Sequence, residues 1–331
     1  MTEIKKKIPK RIKGDKEGLR MSTPPEIAEY RAKRLKNESI ADLGAGVGVQ
    51  AYYFSLYFKH VLAVESDEER FKILKRNMKI KKRKNVELIF GDVFDENVIK
   101  AVDKYDIIFS DPARLRKSEV WDFSDLSPNP ILIISKIKGK SYSFDLPVLF
   151  NKNLIPKEWE REYISLHGEI KRLAVYIGDI KNYELSALLL PYNERIVFDE
   201  KIPREISFSN QVFDYIYEID PAIKYSELIP EFQRLYPDVY ILENGKKNLF
   251  ATGELNYADP FFKNTYKVVF ECKDKDCLIN ELIRNDAKEV FLRYSVENYY
   301  EEKAKIEKKL IGNSKFYIFQ IFNNFYGCIK E

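Results

Sequence analysis

Residues 40–48 read Ile-Ala-Asp-Leu-Gly-Ala-Gly-Val-Gly; Glu65 follows, then Asp92, then Ser-Asp-Pro-Ala-Arg at 110–114. A glycine turn between a strand and a helix lets the backbone approach a ligand at the helix N-terminus. Acids at the ends of the next two strands can then hold an adenosine. Glu65 is placed to accept from both ribose hydroxyls and Asp92 from the adenine exocyclic amine, while the N–H of Val93 meets a ring nitrogen. The glycines fall at 44, 46 and 48, whereas a dinucleotide fingerprint needs one at 49, where Val49 stands. Glu65 alone would suit any adenosine cofactor, but the acid at Asp92 lies outside the dinucleotide pattern. The expected cofactor is therefore S-adenosylmethionine, held by Asp42, Gly44, Ala45, Gly46, Glu65, Asp92 and Val93, and the expected chemistry is methyl transfer.

Asp111, Pro112 and Arg114 are the candidate catalytic residues. At the end of a fourth strand, a side-chain acceptor and a backbone carbonyl can hold the N–H groups of an exocyclic amine and aim its lone pair at the methyl. In-line displacement of this kind depends on positioning and desolvation more than on acid–base work, although Asp111 could also draw off a proton as the amine becomes cationic. Methylation at pyrimidine C5 needs a cysteine nucleophile, and no cysteine precedes Cys272. Many amino-group methyltransferases carry an aromatic after Asp-Pro-Pro for the base to stack on. This chain has Ala113 and Arg114, and an arginine plane can stack on a base or hold a phosphate.

The elements that must position these residues are legible from periodicity. A helix is expected over 23–36, with Thr23 or Ser22 as N-cap and proline in the first turn. Strands follow at 39–43, 61–64, 86–90 and 105–109, alternating with helices at 50–58, 67–79 and 95–102. Pro130–Lys136 reads as a fifth strand, and Glu162–Leu166 with Lys171–Ile177 as an antiparallel pair turning at His167-Gly168-Glu169, with Glu169 a surface acid. This rhythm predicts an α/β, Rossmann-like, mostly parallel sheet with one reversed strand. Beyond about residue 190 the pattern changes. Strands are expected at 196–198, 215–218, 239–242, 266–271 and 315–322, with helices at 221–235, 275–286 and 297–310. The expected division is a basic segment at 1–20, a catalytic α/β domain at 21–192, and a smaller α+β domain at 195–331.

The chain has 331 residues, 45% hydrophobic and 33% charged, the composition of a soluble globular protein of two domains. No apolar run approaches the roughly 20 residues that span a bilayer, so a cytoplasmic protein is expected. Three cysteines without a CxxC pair and two histidines leave a zinc site almost no ligands, and no metal is expected; Cys272 and Cys277 read as bystander thiols. Net charge is only +4, but residues 1–20 hold eight Lys/Arg, and a second cluster runs through Lys72, Lys75, Arg76, Lys79, Lys81, Lys82, Arg83 and Lys84. Such clusters are equally a solvated helix face and a track for phosphates.

Further segments carry a family resemblance. Lys-Ile-Pro near the start, Ile-Ala-Glu-Tyr-Arg-Ala at 27–32, Asp-Leu-Gly-Ala-Gly-Val-Gly-Val and Asp-Pro-Ala-Arg resemble class I methyltransferases with a C-terminal THUMP-like domain. So do Asp125-Leu-Ser-Pro-Asn129, Ile164-Ser-Leu-His-Gly-Glu-Ile-Lys171 and Tyr217-Glu-Ile-Asp-Pro-Ala222, so the resemblance covers nearly the whole chain. Leu115 stands where the family motif has a second arginine, and Gly-Ala-Gly where the family often has Thr-Gly-Gly. The opening helix is also similar to the trimethylguanosine-synthase group, which acts on guanine amino groups. The resemblance implies methylation of a base nitrogen in RNA, either tRNA or rRNA. RNA binding by the THUMP-like domain is implied by analogy only. The alternatives are a methyltransferase acting on a protein or small molecule, and a non-catalytic S-adenosylmethionine-binding module that binds RNA.

Overall fold

The computed structural model describes residues 12–14, 22–116, 119–244 and 248–331. The basic segment expected at 1–20 lies outside them except for residues 12–14. The described residues fall into two compact units. One runs up to Leu166 and continues over Ile170–Asn193; the other comprises His167–Glu169 and Glu194–Glu331.

The first unit opens with helix α1 (Pro25–Arg34), which buries Ile27, Ala28 and Ala32 at helical spacing. Its N-cap position is taken by Pro24, with no side-chain cap. Neither Ser22 nor Thr23 caps this helix, because Pro25 at the first turn lacks the N–H and Thr23 turns to another partner described below. Strands β1 (Ser39–Leu43), β2 (His60–Glu65), β3 (Val86–Phe90) and β4 (Ile107–Ser110) follow, separated by helices α2 (Val49–Tyr57), α3 (Glu68–Ile80) and α4 (Glu96–Val102). β1 is buried along its whole length and pairs in parallel with β2 and β4, as an apolar strand covered on both faces must.

A short two-stranded ribbon, β5 (Ala113–Arg114) with β6 (Leu126–Ser127), comes next. Pro130–Lys136 is then helix α5, not the expected strand. The Asn129 side chain accepts from the N–H groups of Ile131 and Leu132, and Pro130 supplies a preset φ at the first position. Those cap signals override the β-branched run, and Ile131 and Leu132 stay 42% and 45% exposed, which a central strand would not allow. The fifth parallel strand is β7 (Ser141–Leu146), all six residues buried, its apolar pattern interrupted by Ser143 and Asp145.

The sheet closes with β8 (Glu160–Leu166), β9 (Glu169–Ile177) and β10 (Leu185–Leu190); β11 (Glu194–Val197) falls in the second unit. Within the first unit the strand order is β10-β8-β9-β7-β4-β1-β2-β3, and β9 is the reversed strand, antiparallel to β7.

The second unit is built on a seven-stranded sheet of order β13-β14-β12-β15-β18-β17-β16. Its strands are β12 (Tyr215–Ile219), β13 (Tyr240–Asn244), β14 (Leu249–Gly253), β15 (Phe262–Cys272), β16 (Ala287–Leu292), β17 (Ser314–Ile321) and β18 (Asn324–Lys330). Pairing is antiparallel except for β16 with β17. The helix expected over 221–235 is two, α6 (Pro221–Ser226) and α7 (Ile229–Leu235), because Glu227 adopts φ +61° and ends the first. Helices α8 (Lys275–Arg284) and α9 (Tyr299–Glu307) flank the sheet edge that carries β16. Among the described residues no helix is long and apolar enough to cross a membrane, and no group of three metal-ligating side chains assembles.

Candidate functional site

The first four strands are parallel and in register, so their carboxyl ends share one edge of the sheet. Asp42 is paired opposite Ala63, Glu65 opposite Phe90, and Leu43 opposite Ser110. Asp92 follows β3 by two residues and Asp111 follows β4 by one, which brings the four acids to that edge. Ser110 reinforces it by donating its hydroxyl to the Leu43 carbonyl at 2.9 Å.

The glycine turn is left-handed at Gly44 (φ +81°), Gly46 (φ +57°) and Gly48 (φ +87°), a region few L-residues enter. Gly48 is doubly constrained, because a Cβ there would lie 2.5 Å from the Leu74 side chain of α3. At Gly44 and Gly46 an added Cβ would meet nothing within 4 Å, so the turn faces open space. Asn77 of α3 pins its far side, donating to the Val47 carbonyl at 2.8 Å while exchanging hydrogen bonds with the backbone N–H and C=O of Lys13.

Glu65 is buried, and both of its oxygens already hold backbone N–H groups: Gly46 at 2.7 Å and Asp67 at 2.9 Å. It fixes the turn while keeping lone pairs available, since a carboxylate can accept about four hydrogen bonds. Asp92 is exposed and accepts from the Phe94 N–H at 2.8 Å, with Val93 buried beside it. Asp42 is buried and its Oδ2 has no partner among the described residues. Burial pushes its carboxyl up to about 8, Asp111 and Glu65 adding to the effect and Arg31 opposing it. Asp42, Glu65 and Asp111 are thus close enough to act on one another's charge, while Asp92 makes its hydrogen bonds within its own turn.

Asp111 is half-buried. Its Oδ2 accepts from the Thr23 hydroxyl at 3.4 Å and faces the Arg172 guanidinium at 3.6 Å. Pro112 is buried, and Arg114 is exposed with its guanidinium 5.3 Å from the centre of the Trp121 ring. Burial and neighbouring Arg172 hold the Arg114 guanidinium below its usual range, against the pull of Asp111. Sequence reasoning misses four participants: Arg31, Gln50, Asp145 and Arg172. Arg31 donates to Gln50 at 2.6 Å and pairs with Asp145, which also accepts from Arg172 Nε at 3.1 Å. A signal for Arg31 exists, because it sits on the apolar stripe of α1 with Ile27, Ala28 and Ala32. Glu169 is exposed at its hairpin turn.

An unpartnered carboxylate oxygen at Asp42, beside a glycine turn open to solvent, fits a ligand that brings a cationic donor and a bulky nucleoside. Residues 37–186, which contain this edge of the sheet, match the sequence profile of the RNA cap guanine-N2 methyltransferase family. Over that segment the chain carries a methyltransferase domain, a kind that takes S-adenosylmethionine. In three dimensions it is similar to a methyltransferase candidate from Porphyromonas gingivalis W83, with a TM-score of 0.75 and 16% identity over 96% of this chain and 82% of that one. The likeness therefore extends through both units of the fold. A partial likeness, with a TM-score of 0.37 and 13% identity over 47% of this chain and 43% of that one, links it to a T. thermophilus 16S rRNA guanine-N2 methyltransferase. No curated protein gives a significant sequence match.

Proposed function

We propose that this enzyme methylates a base nitrogen in RNA, with the exocyclic amine of guanine as the chemistry the site fits best. The observation that carries the reading is Asp111-Pro112 directly after β4, with the Asp111 carboxylate in the same cluster as Asp42 and Glu65. The description of the matching family points to the same nucleophile.

S-adenosylmethionine supplies an electrophilic methyl carbon on a sulfonium centre. Asp42 accepts from the ammonium of its methionine part, and the turn at Gly44, Ala45 and Gly46 gives the room for its backbone approach. Glu65 accepts from the ribose hydroxyls; Asp92 and the Val93 N–H read the adenine edge. Asp111 and the Pro112 carbonyl accept from the amine N–H groups, which turns the lone pair toward the methyl and removes a rotational freedom from the transition state. Arg114, propped on Trp121, offers a flat cationic surface to a base or a charge to a phosphate. The exposed Lys75, Arg76, Lys79, Lys82 and Lys84 at the end of α3 and beyond it supply charge for the RNA backbone. We assign the second unit, which follows the catalytic domain as a THUMP-like module would, to holding the RNA.

Mass spectrometry of nucleosides from tRNA and rRNA of cells with and without the gene tests the reading. Loss of one methylated guanosine, restored by the active enzyme and not by Asp111→Ala, supports it. An unchanged nucleoside spectrum together with label transfer to a protein or small-molecule pool refutes it.

A further inference from the structure

The residues behind Asp111 form a chain of contacts that begins in the core and ends in the open. Ala28 of α1 accepts from the Gln50 amide at 3.2 Å; Gln50 accepts from Arg31; Arg31 pairs with Asp145; Asp145 accepts from Arg172; Arg172 reaches Asp111. Side-chain exposure rises along it, from 1% at Arg31 and Asp145 to 18% at Arg172 and 35% at Asp111. All three nitrogens of Arg172 are committed: Nε to Asp145 at 3.1 Å, Nη1 to its neighbour's carbonyl at Lys171 at 3.1 Å, and Nη2 facing Asp111 at 3.6 Å. A guanidinium is a rigid planar fork, so holding two of its nitrogens fixes where the third points.

We propose that Arg172, anchored by Asp145, which Arg31 holds in turn, is a positioning residue that keeps the Asp111 carboxylate turned toward the methyl acceptor. The inference rests on the role given to Asp111 above. Every element packed around that carboxylate contributes a group: Thr23 ahead of α1, Asp42 from β1, Arg114 from β5, Asp145 from β7 and Arg172 from β9. Of the two cations among these groups, Arg114 is turned to the Trp121 ring, and Arg172 is the one that faces the Asp111 carboxylate at 3.6 Å. Burial works against the charge of Arg172 itself, yet Asp111 and Asp145 hold it above its ordinary range. The same burial raises Asp145, against the pull of Arg31 and Arg172.

The test uses the full-length chain, labelled S-adenosylmethionine, and total RNA from cells lacking the gene. Arg172→Gln is expected to cut kcat about a hundredfold at neutral pH through poorer alignment. KM for the RNA should stay within about threefold, because the contact acts on the alignment of the carboxylate in the transition state. Donor affinity by calorimetry stays within twofold. Arg172→Lys restores only part of the rate, because it returns the charge without the fork. An unchanged kcat in Arg172→Gln, or donor affinity falling as far as turnover, overturns the proposal.

A double-mutant cycle on thermal unfolding with Asp111→Asn keeps the test independent of turnover. Non-additivity supports the coupling, and strict additivity overturns it. Full activity in Asp111→Asn alone would instead refute the role of Asp111, which is a separate failure.

Discussion

If Asp42 holds the donor's ammonium as proposed, binding of the methyl donor is a proton-linked event. With its carboxyl pushed up to about 8 by burial, about nine-tenths of the free enzyme carries a proton on Asp42 at pH 7. Pairing with the donor's ammonium requires the ionised form, so about 0.9 proton should be released per donor bound at that pH. The observed dissociation constant should then fall about tenfold between pH 6 and pH 7 and level off above pH 8. At pH 7 the proton weakens binding by roughly tenfold, or about 1.4 kcal/mol, relative to the ionised enzyme. Calorimetry in two buffers of different ionisation enthalpy, such as phosphate and Tris, reads the released proton directly.

The stability of the free enzyme has the opposite dependence. A carboxyl whose folded value lies above its unfolded one contributes stability below the unfolded value, near pH 4, and loses it as pH rises toward 8. Asp42→Asn should therefore weaken donor binding yet raise the unfolding temperature at pH 8. A proton count indistinguishable from zero, or an Asp42→Asn variant that binds the donor as tightly as the native enzyme, would refute the reasoning.

Three other outcomes follow from the geometry. Asp111→Ala should lower turnover at least about a hundredfold, as removal of a preorganised transition-state partner does, with donor affinity by calorimetry largely preserved. Glu65→Ala should weaken donor binding and also cost about 1–3 kcal/mol in denaturant unfolding, since the N–H groups of Gly46 and Asp67 lose their acceptor. Replacing Lys75, Arg76, Lys79 and Lys82 together by alanine should flatten the salt dependence of RNA binding, by about 0.7 in logarithmic slope for each phosphate no longer neutralised on a single strand; an unchanged slope in filter binding would remove that face from the RNA path.

Much of the catalytic sheet is readable from sequence because its signals are local. The glycine turn, the acid at each strand end and the apolar runs of β1 to β4 follow from steric and burial rules that act over a few residues. Pro130–Lys136 misleads because Pro-Ile-Leu-Ile-Ile has a strand's composition, and only the Asn129 cap distinguishes the helix. β7 is hidden for the converse reason, its Ser143 and Asp145 being polar yet buried. The Asp145–Arg172–Asp111 contacts unite residues from three separate stretches of chain. Such a network depends on pairing register across the sheet, which periodicity along one segment does not report. In the second unit β14, β16 and β18 go unseen, since short strands rich in aromatics, lysine and glycine carry little alternation. For Glu65 the sequence suggests a cofactor ligand alone, and its two backbone partners emerge only once the turn has folded back on it.

Asn77 ties the segment of residues 12–14 and the carbonyl of Val47 to one amide group. Trimming the chain past residue 14 would strip that amide of two of its three partners in a spot sealed from water. The glycine turn proposed to receive the methyl donor would loosen as a result, so a shortened enzyme compared with an intact one would reveal weaker donor binding alongside any weakened grip on nucleic acid.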